Sequence, residues 1–335
     1  MAFRIRPDDG LKDGLIGSVR RIAREEIEAA IGEIADSSMA AESVIHQVRK
    51  RTKRIRALLR LIGPGMPERA KVESTCFKDA AKRFSSRRDA DVCSKTLAKL
   101  KSRMRRRLSK EACTRIRHAI KQTAEKQARP SGDEHPAQRL REFRQVIECA
   151  RDRLSDWNFS TAVANERDAN VACHTGNTAS NNGASMQERI LFAGLERTYR
   201  AGRKRMKDAI ANVKNENVPE EQLASSFHAW RKQVKNLGYH AQLLWEFSRQ
   251  RMQRLRKQAE QLGELLGDDH DLSVLGQFLC AVPHDLVTAQ EKHVVRAILK
   301  KQSARLRKHA LQIGRDLYAK QPHDFLTWLA KKWRT

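Results

Sequence analysis

Along most of the chain apolar residues recur every three or four positions, the period of a helix with one buried face, and no stretch alternates as a strand requires. Over 11–36, Leu15, Val19, Ile22, Ile27, Ile31 and Ile34 keep that spacing, while Arg20, Arg21 and Arg24 fall elsewhere on the turn. The same period predicts helices over 39–62 and 67–85. A long basic helix opens at an N-cap within Ser85–Asp89 and carries Arg103, Arg105, Arg106 and Arg107. Further helices are expected over 136–155, 187–214, 250–266, 270–281, 284–319 and 323–333, and one opens near Pro219 and carries His228. Gly63-Pro64-Gly65 and Arg129-Pro130-Ser131-Gly132 interrupt the pattern. The small polar run 177–185 has no period at all, so the chain divides into a half over 1–156, a linker over 157–185 and a half over 186–335.

One helical stretch occurs twice. His46-Gln-Val-Arg-Lys-Arg-Thr-Lys-Arg-Ile-Arg recurs 182 positions on, from His46 to His228, as His228-Ala-Trp-Arg-Lys-Gln-Val-Lys-Asn-Leu-Gly. Each copy has Arg three residues after the His, and Lys four and seven after it. On a helix His46, Arg49, Lys53, Arg56 and Arg60 fall within an arc of roughly 80°. Ile45, Val48, Thr52, Ile55, Leu59 and Ile62 fill the neighbouring arc, and Phe227, Trp230, Val234, Leu237, Ala241 and Leu244 repeat it. Arg88-Asp89-Ala90-Asp91-Val92 and His270-Asp271-Leu272-Ser273-Val274 align at the same offset. An all-α protein of two similar halves, two pseudo-symmetric helical bundles with long antiparallel helices, accounts for both.

Composition then bounds the partner. The formal net charge is +27, from 67 Lys and Arg against 40 Asp and Glu. Such an excess repels itself unless a polyanion is bound, and nucleic acid, polyphosphate and an anionic membrane surface all qualify. The six cysteines form no CxxC pair or zinc-type spacing, which predicts reduced core thiols. There is no run fit for a signal peptide or a membrane span, so an intracellular, cytoplasmic protein is expected.

Taken together, the His46 and His228 motifs, Arg88-Asp89-x-Asp91-Val92, Tyr199-Arg200-x-Gly202-Arg203-Lys204 and Leu266-Gly267-Asp268-x-x-Asp271-Leu272 resemble the CHAD domains, conserved histidine α-helical domains. The resemblance covers nearly the whole chain. It implies two four-helix-type bundles about a pseudo-two-fold, a basic groove or pore between them that binds inorganic polyphosphate, and no enzymatic activity of the domain itself. Two positions depart from the first copy: Asn236 and Gly238 stand where it has Arg54 and Arg56. The E-x-E-x-K pattern of the triphosphate-processing domains that accompany many members is absent, so a stand-alone binding domain is expected, associated with polyphosphate granules.

The candidate polyphosphate ligands are His46, Arg49, Lys50, Lys53, Arg56 and Arg60 in the first copy, and His228, Arg231, Lys232 and Lys235 in the second. Arg20, Arg24, Arg200 and Lys204 are added from flanking helices. Arginine offers a phosphate two hydrogen bonds and lysine a point charge. The bland alternative is a solvated helix face, and for the histidines neutral packing. Asp89, Asp91, Asp268, Asp269 and Asp271 read as helix caps or salt-bridge partners rather than metal ligands. The His-Asp pairs at 270–271, 284–285 and 323–324 raise a metal-dependent phosphohydrolase, but the repeat equivalent of His270 is Arg88, which cannot ligate a metal. No catalytic residue, metal or cofactor is assigned. Nucleic-acid backbone binding stays open as the alternative, without base stacking, because the aromatic content is 5%.

Overall fold

The computed structural model describes residues 3–6, 14–82, 86–128, 136–159 and 185–330, without the side chains of 86–91, 127–128 and 136–137. The N-cap within 85–89, the side chains of Asp89 and Asp91, the break at 129–132, the linker over 160–184 and the last residues of the 323–333 helix lie outside that description.

The described residues are helical and contain no strand. We number the helices α1 (Gly14–Ala35), α2 (Ala41–Ile62), α3 (Pro67–Lys82), α4 (Ser86–Arg105), α5 (Lys110–Ala128), α6 (Pro136–Asp152), α7 (Met186–Lys214), α8 (Glu220–Leu243), α9 (Arg249–Ala281), α10 (Ala289–Leu317) and α11 (Pro322–Ala330). α1 packs on α2 as α7 does on α8, α2 on α3 as α8 on α9, α4 on α5 as α9 on α10, and α1 on α6 as α7 on α11.

The stripes behave as their spacing requires. Val48, Thr52, Ile55, Leu59 and Ile62 are buried along α2, and Phe227, Trp230, Val234, Leu237, Ala241 and Leu244 on and just beyond α8. The hydrophobic clusters, however, do not follow the division into halves. One joins Ile22, Leu58 and Trp157 to Tyr199, Trp230 and Leu262. The other joins Leu97, Leu100 and Ile116 of α4 and α5 to Leu275, Leu279 and Val295 of α9 and α10. Burial is what holds the halves together, since each cluster needs apolar faces from both.

Three boundaries differ from expectation. The helices expected over 250–266 and 270–281 are one, α9, because Gly263 and Gly267 do not end a helix here. A Cβ on Gly263 would stand 3.1 Å from Lys235 Cε, and one on Gly267 3.3 Å from Arg231 Nη2, so the glycines are there for close approach. The long basic helix is two, because the Ser109 hydroxyl accepts from Ala112 N at 3.1 Å and starts α5 anew. Trp157, assigned to the linker, is fully buried, and Phe159 packs against the same cluster.

Candidate functional site

The cations of α2 separate into two kinds. Arg51 donates to Glu33 at 2.9 and 2.7 Å and to Glu26 at 3.2 Å, and Arg54 to Glu26 at 3.0 Å. Glu26 is almost wholly buried, so these two arginines are spent on the α1–α2 contact. The row beside them is arranged differently. His46, Lys50, Lys53 and Arg60 are exposed, and Arg49 and Arg56 half-buried. Arg49 Nη1 donates to the Ala81 carbonyl at the end of α3, 3.2 Å away, and Arg56 Nε to Ser74 Oγ at 3.5 Å.

Arg56 and Arg60 lie one turn apart at the end of α2. Burial lowers the pKa of both, Asp79 partly restoring Arg56 and the Arg56 charge further lowering Arg60. Arg60 is exposed. A third guanidinium joins them: Arg197 Nη2 of α7 donates to the Arg60 carbonyl at 2.8 Å. The contact exists because Gly194 brings α7 onto the last turn of α2. Arg200 and Lys204 share the face of Arg197 at helical spacing, Arg200 ion-paired with Glu196.

In the second copy Arg231 and Lys235 lie side by side over Gly267 and Gly263 of α9. Lys232 is exposed. The row then stops, because Gly238 and Gln242 occupy the places of Arg56 and Arg60. His228 is half-buried, its ring 4.1 Å from that of His270. Desolvation, then the charges of Lys232 and Arg231, lower its pKa to about 4, so at neutral pH it is an uncharged imidazole. The two motif histidines therefore differ: His46 is exposed and His228 is not.

α2 and α8 meet where the two copies correspond. His240 Nε2 hydrogen-bonds the Ala57 carbonyl at 2.9 Å, and Leu58 is the repeat equivalent of His240. His240 is wholly buried, and burial, with Arg60 and Arg197 nearby, lowers its pKa to about 3.

Both lowered histidines make stability depend on pH. An unfolded histidine titrates near 6.5, so at pH 5 the unfolded chain holds two protons that the folded chain does not. Stability is then lost as pH falls from about 6.5 towards 4, by roughly 3 kcal/mol between pH 7 and pH 5. Urea unfolding at the two pH values measures this. A His240→Asn variant should flatten the dependence, and an unchanged slope would dismiss His240 as its source.

The remaining candidates sit elsewhere. Arg20 holds the chain after α6, donating to the carbonyls of Trp157 at 3.0 Å and Ser155 at 2.8 Å and to Asn158 Oδ1 at 2.8 Å. The fold uses that guanidinium fully. Arg24 is exposed one turn further along α1. Tyr199 and Gly202 of the Tyr199 motif are core: Tyr199 stacks on Phe325 at 4.0 Å, and Gly202 makes room for Tyr318. The acidic motif is salt-bridging. Asp268 pairs with Lys99 at 2.9 Å, and buried Asp269 with buried Arg307 at 2.9 Å. Among the described residues no group of three His, Cys, Asp or Glu is placed to hold a metal.

Arg197, His240 and His270 escaped the sequence reading as parts of this site. A histidine where the other copy has Leu58, on an apolar stripe, was the one available signal.

The class of molecule these features define is an all-helical domain whose cations stand along paired central helices. Residues 21–280 match the CHAD domain, and the chain belongs to that family. None of the curated proteins compared with it matches the chain. No described helix is long and apolar enough to cross a membrane.

Proposed function

We propose that the protein binds inorganic polyphosphate along the α2 row and its counterpart on α8, in a basic groove between the two halves, without turning it over. One observation carries this reading. Arg56 and Arg60 lie one turn apart at the end of α2, close enough that the Arg56 charge disfavours that of Arg60, with Arg197 adjoining, while Arg51 and Arg54 of the same helix are neutralised by acids. Like charges held close together are unfavourable unless an anion compensates. A chain bearing about one negative charge per phosphate suits a row of cations at helical pitch, and binding releases its counterions. Family membership agrees with this, and recruitment to polyphosphate deposits is the role such a module serves.

The test is a competition titration near physiological salt. Labelled long-chain polyphosphate is bound and then challenged with duplex DNA, single-stranded RNA and free phosphate. Polyphosphate should hold its site against each competitor by orders of magnitude per phosphate. Even displacement by DNA or RNA would make the rows generic charge and overturn the reading.

A further inference from the structure

The turn between α4 and α5 carries charge that the α2 and α8 rows do not account for. From Lys99 to Lys110 seven of twelve residues are Lys or Arg and none is acidic. Lys99 pairs with Asp268, whereas Lys101, Arg103, Arg105, Arg106, Arg107 and Lys110 are exposed and have no acidic partner among the described residues. Some surface arginines elsewhere are paired: Arg144, Arg205, Arg249 and Arg256 each lie against a Glu or Asp on the same or a neighbouring turn. The nearest acid in sequence, Glu111, is held at the start of α5 by its own backbone N–H and by Ser109.

This turn is also well built. Met104 is buried, Leu108 packs on the same cluster, and Leu108 N donates to the Met104 carbonyl at 2.9 Å. The cations thus stand around a packed turn. Nor does the repeated fold demand them. The corresponding turn between α9 and α10 reads Pro283-His-Asp-Leu-Val-Thr-Ala-Gln-Glu-Lys292, without an arginine, and its one lysine is buried. Whatever the tip does belongs to the first half alone.

Its chemistry narrows the partner. Residues 86–128 contain no Phe, Trp or Tyr, so bases of a single strand find nothing to stack on. Among the described residues no large exposed apolar side chain lies on the hairpin, so none of them would anchor it in a bilayer. Arg103 and Arg105 point about 160° apart around α4, a fan rather than a row. A fan of guanidiniums meets phosphates arrayed on two sides, as on the two strands of a duplex, where a row would meet one thread.

We propose that the α4–α5 tip binds the phosphate backbone of duplex nucleic acid, independently of the α2 and α8 rows. The probe is a labelled duplex of about two helical turns, as DNA and as RNA, titrated against the full chain over a range of salt. The variant Arg103→Ser, Arg105→Ser, Arg106→Ser and Arg107→Ser should weaken duplex binding at least tenfold near 0.1 M salt and reduce the salt slope by about 3. Circular dichroism and polyphosphate affinity should stay unchanged. The Arg→Lys version of the same four should keep most of the slope. Failure of the unmodified chain to bind either duplex overturns the proposal, as does equal binding by the serine variant. A loss of polyphosphate rather than duplex affinity assigns the tip to the polyphosphate path instead. Because duplex and polyphosphate are read separately, this proposal and the preceding one can fail independently.

Discussion

Replacing Arg56, Arg60, Arg231 and Lys235 together by glutamine should lower the affinity for long-chain polyphosphate by about a thousandfold or more at 0.1 M salt. Each is a cation that loses a charge-assisted hydrogen bond to phosphate, and glutamine keeps part of the stem where Arg231 and Lys235 lie over Gly267 and Gly263. The control removes the same four charges elsewhere. Arg144, Arg205, Arg249 and Arg256, changed to glutamine, are exposed or half-buried and already paired with acids, so affinity should change only a few-fold. Isothermal titration of both variants decides between a shaped site and bulk charge. Equal losses would mean that net charge alone governs binding.

The second large effect concerns stability. Gly194→Ala should cost about 3 kcal/mol or more, because its Cβ would stand 1.7 Å from the Leu61 carbonyl oxygen. Neither atom is the end of a flexible side chain, so α7 must move off the last turn of α2. That movement also pulls Arg197 from the Arg60 carbonyl, and polyphosphate affinity should fall with stability. Gly32→Ala is the counterpart. It lies in α1 with nothing within 4 Å of the added atom, and should stabilise by up to about 1 kcal/mol through helix propensity. Urea unfolding of the pair measures both, and similar midpoints would refute the tight α7–α2 contact.

Much of the fold was legible in one dimension because a helix reads its own face locally. The period that set Ile55 and Leu59 on one arc and Arg56 and Arg60 on the next needs no neighbour to specify it, and the structure keeps that division. Punctuation was less readable. Gly263 and Gly267 look like a helix end in sequence, and only the side chains lying over them show that they admit Lys235 and Arg231. Within one motif the charged residues also look alike on paper. Arg54 and Arg56 are two residues apart, yet one faces buried Glu26 and the other Ser74 of α3.

The sequence by itself determined the all-helical class, the offset of 182 between the two motifs, the order of helices and the cationic rows, since each follows from local spacing and composition. Tertiary structure decided which cations are spent. It committed Arg20 to the chain after α6, Arg51 and Arg54 to α1, and Arg307 to Asp269, and it left the α4–α5 tip bare. It also decided that both hydrophobic clusters take residues from each half. The reason is physical: the worth of a charge depends on what shares its surroundings, and burial depends on faces that lie far apart in the chain.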